Sequence, residues 1–319
     1  MENEPRTLVE AIRYFADADV THAEAVALRW PDGVHCPTCG RTDVRFIATR
    51  KLWECKEKHA KRQFSVKVGT IFEDSALSLD KWFVAIWAIA NMKNGISSYE
   101  LHRMLGITQK SAWHMLHRIR LAMKLGSFDK FQGRVESDET LMGGQGKFMH
   151  TAKRAKMERT DHHDRKGVVW GLLQRGDEGR ASRVRAKVVK DSTAKVLQTE
   201  VLGGVEAGAN LLTDSATAYR ALSKNYLHET VNHGALEYVR GHVHTNSIEN
   251  FWSLLKRTVK GTYVSVEPGH LQAYVDEQVF RFNERKGTDR TRFLSLAKSI
   301  VGKRLTYMDL IAHGREAAA

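Results

Sequence analysis

Residues 244–257 read His244-Thr-Asn-Ser-Ile-Glu-Asn-Phe-Trp-Ser-Leu-Leu-Lys-Arg257. Their apolar side chains recur at the i, i+4, i+7 and i+11 spacing of an amphipathic helix, as Ile248, Trp252, Leu255 and Val259. Glu249 and Lys256 are seven residues apart, so they lie nearly in line, two helical turns from each other, beside this apolar stripe. A carboxylate and a cation aligned next to a buried face indicate a site for a metal ion and a phosphate.

Two upstream aspartates are candidates to meet Glu249. Asp138 and Asp214 each follow a short strand-like run, and acids at strand ends are where mixed α/β sheets build their sites. Three carboxylates from two strands and a helix can hold two Mg²⁺ ions about 3.5–4 Å apart, an arrangement suited to in-line phosphoryl transfer. The alternative for either aspartate alone is an ordinary helix N-cap or turn residue.

The composition indicates a globular protein with a polyanionic partner. The chain has 319 residues, which is enough for two or three domains. Its net charge of +13 favours nucleic acid as that partner, although a basic composition alone is weak evidence. The sequence has no apolar run long enough for a transmembrane helix, and residues 1–30 lack the features of a signal peptide. The simplest location is therefore the cytoplasm of a bacterium, in association with the nucleoid.

The three cysteines predict a structural zinc site near the N-terminus. Cys36-Pro-Thr-Cys39-Gly has the spacing of a zinc-knuckle turn, and Cys55 with His59 supplies a second pair of ligands. The fourth ligand remains open, because His35, His22 or water could take the place of His59. The basic residues of this segment favour DNA contact, and a solvated surface is the alternative.

A helix-turn-helix is predicted after the cysteines. Residues 80–93 form a strongly apolar helix, and two further helices follow with a turn at Gly106 and a cap at Thr108. The start of the last helix would contact DNA, through Gln109, Lys110, Ser111, His114, Arg118 and Arg120. The alternative is a plain helical bundle, in which residues such as Trp113 and Leu116 form the core.

Five separated motifs resemble bacterial insertion-sequence transposases. They are the Cys-Pro-x-Cys-Gly turn and the segments at 62–75, 79–82, 135–140 and 244–263. The group that these motifs resemble has a zinc ribbon, a helix-turn-helix and an RNase H-like DDE domain, and it is related to the eukaryotic Merlin transposases. The resemblance covers roughly residues 10–290.

This resemblance implies catalytic roles. Asp138, Asp214 and Glu249 would be the three acids that bind Mg²⁺, for which Mn²⁺ could substitute, and Lys256 would pair with a DNA phosphate. Some relatives are described with Asn as the third residue, which leaves Asn246 and Asn250 as alternatives. His244 could orient DNA or a ligand carboxylate.

The same resemblance implies an α/β architecture: an RNase H-like mixed sheet flanked by helices, preceded by a small zinc ribbon and a helical domain. The predicted domains are N-terminal helices (1–33), zinc ribbon (34–75), helix-turn-helix (76–128), catalytic domain (129–290) and C-terminal helical tail (291–319). Within the catalytic domain, residues 147–166 are predicted to form a loop, which either clamps DNA or is simply solvated.

The function implied is DNA transposition. The enzyme would bind terminal inverted repeats and target DNA as a dimer or higher oligomer, and would cleave and rejoin strands by two-metal chemistry. Two other functions stay open: a DNA-binding regulator of the same fold that has lost catalysis, and an RNase H-like nuclease that does not join strands.

Overall fold

The computed structural model describes residues 4–124, 126, 129–143, 167–177, 179–214, 217–231 and 239–316. The segment predicted to form a loop at 147–166 lies outside these ranges. The chain divides into two compact units, one built from residues 1–123 and 287–310 and the other from residues 124–286 and 311–319. No helix among the described residues is both long and apolar enough to cross a membrane.

The first unit contains seven helices and a small sheet among its described residues. The helices that lie wholly within it are α1 (Leu8–Ala16), α2 (Ala18–Arg29), α3 (Leu79–Asn91), α4 (Ser98–Leu105), α5 (Gln109–Met123) and α9 (Asp289–Lys298), and α10 (Tyr307–Glu316) begins in it. The sheet is antiparallel, with strands β1 (Val44–Ile47), β2 (Leu52–Cys55) and β3 (Gln63–Phe64) in that order.

Aromatic side chains hold the helices of the first unit together. Phe15 of α1, Phe83 of α3 and Phe293 of α9 are each completely buried, and their ring centroids lie 5.1–5.8 Å apart. Rings at these separations attract one another in addition to the apolar area that they bury. Residues more than two hundred positions apart therefore share one core.

The predicted helix-turn-helix corresponds to α4 and α5. The turn residue Gly106 has a φ of 59°, in the left-handed region that favours glycine. Thr108 accepts the backbone N–H of Ser111 at 3.1 Å, so it caps α5 as expected from the sequence. Helix α3 begins at Leu79 and ends at Asn91, close to the predicted bounds of 80–93.

The second unit is a mixed five-stranded sheet between two layers of helix. Its strands are β4 (Arg134–Met142), β5 (Gly167–Gln174), β6 (Arg183–Val189), β7 (Asn210–Asp214) and β8 (Leu227–Val231). The spatial order is β6-β5-β4-β7-β8, in which β4, β7 and β8 are parallel and the β4–β5 and β5–β6 pairs are antiparallel. The mixed α/β architecture expected for an RNase H-like domain is confirmed.

Each face of this sheet has its own apolar core. Helix α6 (Ala194–Gly204) and a 3₁₀ segment (Thr217–Lys224) cover one face, where Leu172, Leu197 and Tyr219 are buried. Helices α7 (Asn246–Thr258) and α8 (Leu271–Asn283) cover the other face, where Leu173, Phe251 and Val275 are buried. Because side chains alternate along a strand, β5 contributes to both cores.

The apolar stripe predicted for residues 248–259 is the face that α7 packs on the sheet. Ile248 and Leu255 are completely buried, and Trp252 is 4% exposed. Because this face of α7 is buried, Glu249 and Lys256 lie on the part of the helix surface beside it.

Candidate active site and zinc centre

The four residues predicted to carry catalysis line one pocket in the second unit. This pocket has a volume of about 580 Å³, and its lining comprises Asp138, Glu139, Thr140, Asp214, Thr245, Glu249, Trp252, Ser253 and Lys256. Two strands and one helix contribute these side chains, as the sequence pattern predicted. Their catalytic roles stay a prediction.

The pocket opens where β7 stops accompanying β4. The two strands pair only from Arg134 to Glu136 of β4, while β5 pairs with β4 as far as Met142. Asp138 therefore lies in the middle of its strand and not at the end, in contrast to the expectation for both aspartates, whereas Asp214 is the last residue of β7. Beyond Glu136 no described strand pairs with this edge of β4, and side chains there line the pocket.

The orientation of Asp138 is set by a tryptophan. The indole Nε1 of Trp252 donates a hydrogen bond to Oδ2 of Asp138 at 2.9 Å. A glycine makes room for the indole, because Gly171 pairs directly with Asp138 across the strands and a Cβ there would lie 2.7 Å from Trp252. Trp252 belongs to the apolar stripe predicted from the sequence, and the helical periodicity does not predict this polar contact.

Glu139 is a fourth acid of the pocket that the sequence analysis did not select. It points to the opposite face of β4 from Asp138, and the hydroxyl of Tyr219 donates to its Oε2 at 2.6 Å. Tyr219 is itself completely buried. The adjacency of Glu139 to Asp138 was the available signal, but strand alternation argued against a shared pocket.

The pocket disfavours the ionised forms of Asp138 and Glu139 when no cation is present. Burial, followed by the negative charge of Glu139, raises the pKa of Asp138 to about 7, and Asp214 adds to the effect. Burial also raises the pKa of Glu139, and Asp214 contributes to this rise as well. A divalent cation beside Asp138 and Glu139 would favour their ionised forms, so the two raised pKa values suit a site that binds such an ion.

The third acid has an orienting partner. The hydroxyl of Thr245, the residue that precedes α7, donates to Oε1 of Glu249 at 2.9 Å. The alternatives Asn246 and Asn250 are both exposed and do not line the pocket. The geometry therefore favours Glu249 over either asparagine as the third acid.

His244 lies beside the pocket and is held away from it. Its Nδ1 accepts a hydrogen bond from Nη2 of Arg175 at 2.8 Å, so the ring is neutral with its proton on Nε2. Burial, reinforced by the charge of Arg175, lowers the pKa of His244 and favours the same form. Its contact with Arg175 supports a role in local structure.

The predicted zinc ligands come together in the first unit. Cys36, Cys39, Cys55 and His59 have ligand atoms that all lie within 4.8 Å of one another, and among the described residues they are the one such group of three or more. The carboxylates of the pocket are thus spread more widely than the zinc ligands. His35 and His22, the alternatives for the fourth position, are outside the cluster.

Cys36 is the thiol whose surroundings favour the thiolate, whereas burial raises the pKa of Cys55. Burial opposes ionisation of Cys36, but hydrogen bonds from the backbone N–H groups of Cys39 and Thr38, with the neighbouring thiols, lower its pKa to about 6. A thiolate is the form that binds zinc. The Cys₃His set and its spacing support a structural Zn²⁺.

The structure divides the predicted DNA-contacting residues of α5. Lys110 is exposed with its Nζ over the ring of Tyr307, and Gln109 and Ser111 are near the surface at the helix start. His114 is half-buried and donates through Nε2 to the carbonyl of Leu305 at 3.1 Å.

Arg118 and Arg120 do not fit the prediction of DNA contact. Both are buried, at 5% and 1% exposure, and the guanidinium of Arg118 donates to the carbonyl oxygen of Glu73. The second half of α5 belongs to the core of the first unit, so these two arginines are withdrawn from the DNA-facing set. Helix α5 contains no acidic residue, but this pattern in the sequence does not distinguish exposed arginines from buried ones.

Comparisons with known proteins match the two parts of the chain that contain these sites. Residues 130–283 match the model of the ISXO2-like transposase domain, and residues 19–60 match that of the transposase zinc-ribbon domain. The chain is 28% identical over 239 residues to an uncharacterized protein in transposable element ISH50 of Halobacterium salinarum, covering 72% of this chain and 79% of that protein. The matched domains hold the pocket and the cysteine–histidine cluster respectively, and the chain belongs to the transposase family that combines an ISXO2-like transposase domain with a transposase zinc ribbon.

Proposed function

We propose that this transposase cleaves DNA at the ends of its insertion sequence and joins them to a target, using Asp138, Asp214 and Glu249 as Mg²⁺ ligands. The observation that carries the proposal is the pocket in which these acids and Lys256 meet. Two bound Mg²⁺ ions, or Mn²⁺ in their place, would activate the attacking oxygen and stabilise the leaving oxygen of a phosphodiester.

The residues of the chain have separate tasks in this proposal. The three acids come from β4, β7 and α7, so they approach a bound phosphate from different directions. Trp252 donates a hydrogen bond to Oδ2 of Asp138, and Thr245 donates one to Oε1 of Glu249. Fixed ligands of this kind lower the reorganisation that would otherwise accompany the reaction. Lys256 lies two turns beyond Glu249 and would pair with a DNA phosphate as a point charge.

Recognition of the terminal repeats is assigned to the first unit. The exposed start of α5, with Lys110 and its neighbours Gln109 and Ser111, supports contact with DNA, and the zinc ribbon adds an array of exposed basic side chains. Phosphate contacts would contribute most of the affinity, while the uncharged side chains would read bases. Synapsis of two ends by one enzyme would require a dimer or higher oligomer.

The test is cleavage and joining of a labelled oligonucleotide that carries the terminal repeat flanking the gene. The native protein is compared with Asp214→Ala, and Asp191→Ala serves as the control because Asp191 is a partly exposed acid outside the pocket that accepts hydrogen bonds from Thr193. We expect metal-dependent cut and joined products from the native and control proteins and none from Asp214→Ala.

The competing functions give different outcomes in the same assay. Cut products without joining would favour the nuclease. Tight binding of all three proteins, with no product in Mg²⁺ or Mn²⁺, would favour a regulator that has lost catalysis.

A further inference from the structure

A buried ion pair lies behind the pocket, and the proposed reaction does not use it. The side chain of Glu136 is completely inaccessible, and its Oε1 accepts a hydrogen bond from Nε of Arg175 at 2.6 Å. Removal of either partner of a buried ion pair leaves an uncompensated charge, which destabilises the folded protein. Glu136 and Arg175 therefore depend on each other for their buried positions. Glu136 is two residues before Asp138, on the same face of β4.

The same pair holds the start of α7. The second carboxylate oxygen of Glu136 accepts the backbone N–H of Ile248, in the first turn of the helix, at 2.9 Å. Arg175 donates to the carbonyl oxygens of His242 and His244, each at 2.7 Å. A single guanidinium thus binds both the carboxylate that caps the helix and the chain that leads into it.

The two acids of β4 that contact α7 have nearly the same separation as their partners on the helix. Glu136 and Asp138 are about 6.6 Å apart along the strand, and their partners on α7, Ile248 and Trp252, are about 6 Å apart along the helix. Glu136, with Arg175 as its counter-ion, therefore accepts a hydrogen bond from the first turn of α7, and Asp138 accepts one from the second turn. The two contacts together fix the register of α7 against β4.

We infer that Glu136, Arg175 and His244 form a clamp that positions α7, and through it Glu249 and Lys256, against Asp138. The clamp residues act as positioning residues. The inference rests on the proposed function for its catalytic consequence, but the positioning of α7 is a property of the metal-free protein. Residues that orient metal ligands in this way typically contribute 10–100-fold to metal affinity or activity.

The test compares Arg175→Ala with Arg285→Ala. Arg285 is a matched control because it is also partly buried at the end of an element of the second unit and donates to backbone carbonyls, but to those of Ser182 and Phe282 and not to those of the residues that lead into α7. Two readouts are taken: hydrogen–deuterium exchange of a peptide covering residues 246–252, and the Mn²⁺ concentration that gives half-maximal cleavage of the terminal-repeat oligonucleotide.

We expect Arg175→Ala to accelerate exchange in this peptide and to raise the half-saturating Mn²⁺ concentration by about 10–100-fold. Added guanidinium ion should partly restore both, and Arg285→Ala should change neither. If the two variants behave alike in the exchange measurement, or guanidinium restores nothing, the clamp is overturned.

A second variant, together with the assay of the native protein, separates a failure of the clamp from misfolding and from a failure of the proposed function. Glu136→Gln retains an acceptor for the Ile248 N–H and loses only the charge, so it should fold and give a smaller effect of the same kind; an effect as small as that of Arg285→Ala would count against the clamp. If the native protein cuts no DNA, the proposed function fails, while the exchange comparison still decides whether Arg175 positions α7.

Discussion

At the scale of single residues, the pocket depends on groups kept in an unfavourable state. Asp138 is partly buried among other acids, and Trp252 occupies the space that Gly171 leaves beside it. The burial of Asp138 weakens the metal-free protein and prepares the site for a cation, whereas the packing of Trp252 at Gly171 stabilises the fold. They lead to two predictions about stability that do not depend on any DNA substrate.

Asp138→Asn should stabilise the metal-free protein at pH 8. The pKa of Asp138 is about 7 in the folded protein and 3.8 in the unfolded chain, so the folded state binds more protons between these values and becomes less stable as the pH rises through them. The variant removes this loss, by up to about 4 kcal/mol at pH 8 and little at pH 4. Urea unfolding at the two pH values, with a metal chelator present, measures it; equal effects at both would contradict the pKa assignment.

Gly171→Ala should destabilise the protein by about 1–3 kcal/mol, because its Cβ would overlap the Trp252 ring. Gly203→Ala is the control, since the Cβ at that position of α6 meets nothing within 4 Å. This control should be neutral or stabilising, as alanine restricts the unfolded chain. Thermal unfolding of both variants decides the matter, and equal stability of the two would show that Trp252 can move aside.

At the scale of elements, short segments carry distinct chemistry. The ribbon strands β1–β3 bring the cysteines and His59 together, and the turn at Gly106 sets the start of α5. Substitution of a zinc ligand should therefore affect zinc binding, and substitution at the start of α5 should affect DNA binding.

His59→Ala should reduce bound zinc well below one ion per chain, because it removes one of four ligands in the cluster. His35→Ala should retain one zinc, although His35 is a neighbour of Cys36 in the sequence. Zinc content after dialysis against a weak chelator, measured by atomic absorption, compares the two variants. If only the His35 variant lost zinc, the fourth ligand would be His35 and not His59.

Lys110→Ala should weaken binding to the terminal repeat and lower the slope of log K against log salt by about 1, as expected for one lost phosphate contact. Lys187 of β6 provides the control, because it is also exposed but forms an ion pair with Glu200 on the second unit. Fluorescence anisotropy between about 50 and 200 mM salt measures both variants. An unchanged slope for Lys110→Ala would exclude the start of α5 from the phosphate contacts.

At the scale of the whole molecule, the charge of +13 is shared by two units with different tasks. A strongly basic chain binds any DNA through phosphates, so specificity has to come from the few side chains that reach bases. We expect the native protein to bind unrelated DNA with steep salt dependence and to prefer the terminal repeat most clearly at high salt. A preference that disappears as salt rises would contradict base recognition by this chain.

The sequence by itself determined the local chemistry. Cys36-Pro-Thr-Cys39 specifies a metal turn through residue type and spacing alone, and the stripe from Ile248 to Val259 specifies a helix with one buried face. The same periodicity placed Glu249 and Lys256 nearly in line along one side of that helix, two turns apart. Such features need only neighbours within a few residues, so they are legible before the chain is folded.

Only the tertiary structure decided which distant residues share a space. Asp138 and Glu139 both line the pocket although they are neighbours on β4, which alternation along one strand cannot reveal. Arg118 and Arg120 are buried by partners far along the chain, so their charge alone gave the wrong exposure. The clamp at Glu136 depends on contacts across more than a hundred residues. Burial and register arise from packing, and no local pattern encodes them.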